Sequence, residues 1–423
     1  ARLTGQKAKV STLDFNNWGS RLFLFSILFL FSGCSCDNPV QPPVDKTVIK
    51  GTVTDSLTGQ PLAGTVVRLN TGLSAVTDSI GRYRLIGMGG GTFTVSAKKI
   101  DWRLKSQSVT VVANDSQKAD FVIKEKEWTM VSITNYYDIM DIFFVDENNG
   151  WICTYDAMNT LQKEILHTTD GGMNWSVQYR DTTPYSIPLD MKFIDINNGW
   201  VVGGGCVLRT TDGGNNWLDW YSQVDPPYGG LDEIFFTDPN NGWIIGDPVP
   251  IPSGDCIMHT TDGGDTWIRQ TTGSNPDLFA INFINSNYGW VTGDDGVSNN
   301  IYKTVNGGSA WTLLKANVPV GEIQFFDALN GCGRGSSRFY KTSDGGVSWV
   351  EKTLPQLPMY MFFTEINLGW VSSINMLRTT DGGETWVIKN TPAPSDSQCW
   401  ARIAAISPDY CWAVSRYSLI IYK

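Results

Sequence analysis

The chain holds two histidines, His167 and His259, and each stands three residues before an Asp-Gly-Gly triplet. A nucleophilic triad or a zinc site needs groups that converge in space. Two residues in the same place of two repeat copies are kept apart by the repeat itself. That place is filled before the other triplets by Arg209, Lys303, Lys341 and Arg378, and Lys423 matches it at the end of the chain. In a closed ring the seven positions predict a circular basic track, suited to docking an anionic protein segment or glycan. The plainer alternative is that each cation neutralises an acidic neighbour, the triplet Asp included. Loop carboxylates Asp247, Asp255, Asp294 and Asp295 lie in the stretches 246–255 and 293–300. Facing one another across a cleft they could work as a glycosidase pair, although such residues are ordinarily solvated. Asp294-Asp295-Gly296 lacks the ligand spacing of a calcium loop. Trp220, Tyr221 and Tyr228, around Pro226-Pro227, could form an aromatic binding patch or pack on a neighbouring unit. No catalytic set, metal site or cofactor site is expected.

The elements that carry these residues are set by Thr-Thr-Asp-Gly-Gly-x-x-Trp, running from Thr168 to Trp175 and returning at Thr210, Thr260, Thr304, Thr342 and Thr379. A fixed period of roughly forty residues signals a repeat architecture. Each copy reads as a tight hairpin. Its Asp (Asp170, Asp212, Asp262, Asp344, Asp381, with Asn306 in the fourth copy) accepts the turn's own N–H groups, the Gly pair supplies positive φ, and the Trp covers the turn. In step with it, alternating apolar runs such as Ile142-Phe143-Phe144 and Ile234-Phe235-Phe236 lead through a polar turn to a second Trp. This Trp follows Gly at Trp151, Trp200, Trp243, Trp290 and Trp370 and Cys at Trp412, with Gly331-Cys332 in the remaining place. The units predict seven four-stranded blades of a β-propeller. The last unit stops before its hairpin, and residues 127–131 match the missing fourth strand. Pairing them with the last blade would close the ring and hide its edges.

These hairpins resemble the Asp-box, or bacterial neuraminidase, repeat, and the Arg-Thr-Thr-Asp-Gly-Gly phrasing and Asn-Gly-Trp turns are most similar to the photosystem II assembly factor family. That resemblance implies a non-enzymatic assembly module. Sialidases sharing the hairpin use an arginine cluster and a Tyr nucleophile, a set that cannot be assembled from these residues.

Charge is divided along the chain: residues 47–126 have 11 Lys and Arg against 6 Asp and Glu, and residues 127–423 have 16 against 33. An acidic propeller argues against nucleic acid. Residues 22–31 (LFLFSILFLF) after Arg21 are too short for a membrane span and suit a secretory segment. Phe31-Ser32-Gly33-Cys34 resembles the bacterial lipoprotein signal, which implies cleavage before Cys34 and acylation of its thiol. Domain boundaries are thus expected at 1–33 for the signal, 34–46 for a Pro-rich tether, 47–126 for a small all-β sandwich of prealbumin or immunoglobulin type, and 127–423 for the propeller. The sandwich segment, alternating strands between Gly and Pro turns, is similar to the carboxypeptidase regulatory-like domain, which is non-catalytic. After Cys34, seven cysteines remain, an odd number without metal spacing, and Cys332 is expected to be a small core residue. Together these features predict an outer-membrane lipoprotein, held to the membrane by its lipid alone, that binds an envelope protein or complex. The alternative is a carbohydrate-active protein working through its acidic and aromatic loops.

Overall fold

The computed structural model describes residues 47–423 apart from 134–137, 157–160, 184–185, 221–229, 247–255, 275, 336, 393–401, 408–409, 416–417 and 423. Cys34, the signal and the tether lie outside the described residues, as do Tyr221, Tyr228, Asp247, Asp255 and Lys423. Among the described residues every regular element is a strand.

The first seventy or so described residues, 47–123, form two facing sheets. One is built on Val48–Asp55, which pairs antiparallel with Arg82–Ile86 and parallel with Ser116–Lys118 and Phe121–Ile123. The other orders Ser74–Val76, Val66–Leu69, Gly91–Lys98 and Lys105–Val111. Alternation along the strands puts Ile49, Val53, Val67, Leu69, Val95 and Phe121 into one core and leaves Val66, Arg68, Thr94 and Val122 exposed on the outer faces. This is the expected sandwich.

Among the described residues seven four-stranded sheets follow. The first is Asp138–Phe144, Gly150–Tyr155, Lys163–Thr168 and Ser176–Asp181. The next five repeat that plan in chain order. The seventh takes three strands from the C-terminal end, Arg402–Ser407, Tyr410–Val414 and Ser418–Tyr422, and its fourth from Trp128–Ser132, which pairs antiparallel with Ser418–Tyr422. The innermost strand of the seventh sheet packs beside that of the first, so the sheets close into a ring. A propeller fold is the result.

Large apolar rings fill the space between sheets. Trp151 stacks on Phe193 of the next sheet at 3.7 Å, Trp243 on Phe283 at 3.6 Å, Trp290 on Phe325 at 3.8 Å and, across the closure, Trp412 on Phe144 at 3.7 Å. The indole N–H groups of Trp243, Trp290 and Trp412 each donate to a box glycine carbonyl of the following sheet, Gly307, Gly345 and Gly171. Each buried Trp removes roughly 150–250 Å² from water, on the order of 4–6 kcal/mol at about 25 cal/mol/Å². The Gly before it is required for space: a Cβ at Gly242 would stand 2.4 Å from the ring of Phe236, and Gly289 meets Phe283 in the same way.

The box hairpins are built as their residues dictate. In the third, Asp262 Oδ1 accepts the Thr260 hydroxyl at 2.7 Å and the Thr266 N–H at 2.9 Å, and Oδ2 accepts the Thr266 hydroxyl at 2.6 Å. Gly263 and Gly264 lie at φ 72° and 90°. These bonds hold the carboxyls of Asp170, Asp262, Asp344 and Asp381 down to about 2, with the side chain four residues on as the largest cause. Asn306 keeps the Thr304 and backbone partners, but Ala310 gives it no side-chain donor. Asp262→Ala is therefore expected to cost about 2 kcal/mol in urea unfolding, and Asn306→Ala clearly less; equal losses would mean that the side-chain bond at the fourth position contributes nothing.

Candidate functional site: the channel and the basic positions

The innermost strands present two rows of side chains to the ring axis. Counting two residues past each packing Trp and crossing the ladder gives Asp141, Asp190, Glu233, Ala280, Glu322, Tyr360 and Arg402, one per sheet. In the first four sheets a register shift immediately precedes this position, one extra residue that re-aims the following side chain. The second row, two residues on, is Phe143, Lys192, Phe235, Asn282, Gln324, Phe362 and Ala404.

The carboxylates reach forward. Asp141 accepts the Met191 N–H at 3.0 Å, Asp190 that of Ile234 at 2.8 Å and Glu233 that of Ile281 at 3.0 Å, each from the next sheet. Asn282 accepts the Phe325 N–H at 2.9 Å, and Gln324 both donates to and accepts from Phe363. Glu322 is bound by Arg334 Nε at 2.6 Å. Burial pushes all four acids up, Asp141 and Glu233 well above the usual carboxylate range, with the Asp190 charge the next cause for both. Asp141 and Asp190 share a hydrogen bond, and a single proton suffices for the pair. The cations are Arg402, 3.8 Å from Asp141 and lying over the Tyr360 ring at 5.0 Å, and Lys192, between the rings of Phe143 and Phe235. Burial lowers the Lys192 ammonium and also opposes the charge of Arg402, which the neighbouring acids Asp141, Asp190 and Glu322 favour. A carboxyl pair sharing a proton can serve acid–base chemistry. Here each acid is also committed to a neighbouring sheet's backbone.

Sequence reasoning passed over this row. Its signal is Asp-Ile-Phe-Phe at 141, Asp-Met-Lys-Phe at 190, Glu-Ile-Phe-Phe at 233 and Glu-Ile-Gln-Phe at 322, an acid three residues before the packing Phe.

The basic positions are real equivalents, each directly across the ladder from the packing Trp or its stand-in: His167 faces Trp151, Arg209 Trp200, His259 Trp243, Lys303 Trp290, Lys341 Cys332 and Arg378 Trp370. The seventh corrects the expectation. Trp412 pairs with Ile421, so a buried isoleucine holds the place assigned to Lys423. The cations also have partners. Arg209 lies 4.9 Å over Trp200 and pairs with Asp265, two residues after the box glycines' start in the next sheet, at 2.5 Å. Lys341 binds Glu384 of the next box at 2.9 Å and Lys303 lies over Trp290. The imidazoles stack on Trp151 and Trp243 at 4.6 Å, and burial lowers both below their ordinary value. Arg209 and Lys341 thus fasten one sheet to the next through the residue after the box glycines, not through the box Asp, while His167, His259 and Lys303 pack on the Trp of their own sheet. Arg209→Ala is expected to lower stability by about 1–2 kcal/mol and Asp265→Ala to share most of that loss in a double-mutant cycle; additive losses would show that the pair is not coupled.

Arg378 is the exception that completes the pattern. Its sheet is followed by the seventh, in which the strand Ser418–Tyr422 pairs with Trp128–Ser132 from the front of the chain rather than with a strand after a box hairpin. Asp101 of the sandwich stands in: it pairs with Arg378, binds Lys389 Nζ at 2.7 Å and accepts the Tyr422 hydroxyl at 2.8 Å. Asp101 is held at φ 69°, and its carbonyl accepts the Lys126 N–H. With no box glycine to meet it, the Trp370 indole N–H has no hydrogen-bond partner among the described residues.

Of the aromatic and acidic loop residues, Trp220 is half-buried, edge-on to Trp200 at 6.3 Å, and lies under Arg209. It is a packing residue. Asp294 and Asp295 accept N–H groups from Gly296, Val297 and Ser298 of their own turn. Cys153, Cys206, Cys332 and Cys411 are buried free thiols, and among the described residues no His, Cys, Asp and Glu group has the arrangement of a metal site.

Comparison with known proteins agrees with this architecture. Residues 48–124 match the carboxypeptidase regulatory-like domain, and residues 121–219 and 178–311 match the photosynthesis system II assembly factor YCF48. A comparison with curated protein sequences finds no match. Among solved structures, YCF48 bound to a D1 peptide superposes with a TM-score of 0.55 at 20% identity, covering 70% of this chain and 96% of that one. YCF48 from Cyanidioschyzon merolae gives 0.54 at 18% identity, covering 70% and 98%. A streptogramin B lyase gives 0.52 at 12% identity, covering 70% and 97%, so the same fold also carries an enzyme. The chain therefore joins a segment that matches the carboxypeptidase regulatory-like domain to a propeller similar to those of the YCF48 structures.

Proposed function

We propose that this protein is a non-enzymatic scaffold of the cell envelope, lipid-anchored at Cys34, whose propeller holds a segment of a partner protein during assembly of a complex. The match of residues 121–311 to YCF48, one solved example of which is bound to a D1 peptide, carries this reading. Consistent with it, the described acids that could have formed a hydrolytic pair are committed to structure: Asp294 and Asp295 to their own turn, and the channel acids to the next sheet. The half-exposed side chains Phe143, Phe235 and Phe362 of the second row give an extended peptide apolar contact, beside the cations Lys192 and Arg402.

The test places a photocrosslinking amino acid at Phe235 and at Phe362 in the full chain expressed in its own cells. One envelope protein captured at both positions, and not from an exposed site such as Glu147, is the expected result. Capture of glycan alone, or the same products from all three positions, would overturn the scaffold reading and favour a carbohydrate-active one. Loss of acyl labelling in Cys34→Ser tests the anchor separately.

A further inference from the structure

The sandwich presents a feature that its packing does not explain. On its first sheet, Lys50 is directly opposite Arg84 on one side and Lys118 on the other, and Arg82 lies two residues from Arg84 on the same outward face. Neighbouring strands are about 4.8 Å apart, and like charges directly opposite one another destabilise a sheet. Little offsets this. Lys118 is bound to Asp120 at 2.5 Å, while among the described residues no ion pair engages Lys50, Arg82 or Arg84. The four cations line one cleft of about 460 Å³, together with Val76, which is 62% exposed, and Asp78. The Asp78 carboxylate is occupied by the N–H groups of Ile80 and Arg82 at 3.0 and 2.8 Å.

We propose that this cleft is an anion site that takes phosphate groups presented at a lipid surface. Guanidinium groups match phosphate oxygens two at a time, and the lysines add charge without demanding a fixed geometry. The choice of a lipid source rests on Cys34 being the anchor. Lys50 is on the first strand after the tether, sixteen residues from Cys34, and a chain of that length reaches at most about 55 Å. The exposed apolar side chains Val76 and Ile86 border the cations. The acidic charge of the propeller is screened beyond about 8 Å at physiological salt.

The experiment uses residues 46–423, which form one compact unit, so that it does not depend on acylation. Sedimentation with phosphatidylcholine vesicles, with and without phosphatidylglycerol, is expected to show binding to the anionic vesicles only, weakening as salt is raised. Each charge removed should lower partitioning about five-fold, so that the pair Lys50→Gln and Arg84→Gln together lose about 25-fold. The same two substitutions should leave the urea midpoint unchanged or raise it. Binding to neutral vesicles, no binding, or binding indifferent to the two substitutions would overturn the proposal. So would a fall in the urea midpoint, which would make the cations structural. Calorimetry with inorganic phosphate separates the source: heat from phosphate with no vesicle binding would mean a soluble phosphorylated ligand and would overturn the lipid assignment.

Discussion

Asp101→Ala should destabilise the protein by about 3–5 kcal/mol, the loss typical of removing one partner from a buried ion pair. The size follows from what is left behind. Arg378 is 2% exposed and its counter-charge comes from a residue in another domain. Lys389 would keep only Glu125, 3.8 Å away, and the Tyr422 hydroxyl would lose its acceptor. In the second and fifth sheets the corresponding acid belongs to the next box hairpin, Asp265 for Arg209 and Glu384 for Lys341. The sandwich is thus part of the ring's closure rather than a free spacer. Two further measurements make the argument specific. Replacing Arg378 by Met in the Asp101→Ala background should recover much of the loss, because a buried guanidinium deprived of the Asp101 carboxylate is replaced by an apolar chain of similar length. Limited proteolysis should cut between the sandwich and the first propeller strand, near residues 124–127, faster in the single variant than in the wild type. A loss no larger than that of Glu147→Ala would show that Asp101 is an ordinary surface residue.

The contrast between these residues shows what the sequence could disclose. The box hairpins were legible because all their physics lies within eight residues: a Thr hydroxyl, an Asp that accepts its own turn's donors and two glycines at positive φ. The front strand was legible as the missing partner because Trp128 repeats the pattern of Trp386. Ladder register was not. Counting from Thr and Asp predicts Lys423 for the seventh basic position, whereas pairing with Trp412 selects Ile421. A residue's place relative to a motif differs from its place relative to a strand where the motif is missing. The channel acids were overlooked for another reason. In a strand with one wet face, Asp141 or Glu233 in alternation reads as solvent-facing, but the innermost strand of a propeller turns that face toward the axis, where Asp141 is buried and Asp190, Glu233 and Glu322 are half-buried. Nothing local pointed to Asp101, since its partner Lys389 is 288 residues away.

The channel and the hairpins should give the propeller opposite dependences on pH. The box carboxyls at Asp170, Asp262, Asp344 and Asp381 sit at about 2 in the folded chain, below the ordinary value near 3.9. Their contribution is complete above that ordinary value and is lost as pH falls toward 2. Asp141, Asp190, Glu233 and Glu322 are raised by burial, and for Asp141 and Glu233 by the neighbouring Asp190 charge as well. Their contribution is complete below the ordinary carboxylate value and is lost as pH rises through the folded one, by about 1.4 kcal/mol for each unit of displacement. Arg402, Lys192 and Arg334 oppose that loss but do not cancel it, because the four acids remain raised with those cations in place. Maximum stability is therefore expected near pH 4–5, below the usual range of about 5–8. Asp141→Asn isolates the alkaline side. The amide can still accept the Met191 N–H, and it can donate to Asp190 without a titrating proton. The variant should match the wild type near pH 4.5 and exceed it by more than about 1 kcal/mol at pH 8. Urea unfolding across that range checks both statements. If the variant follows the wild-type curve, or is the weaker of the two at pH 8, then Asp141 is ionised in the folded channel and Arg402 alone sets the balance of charge there.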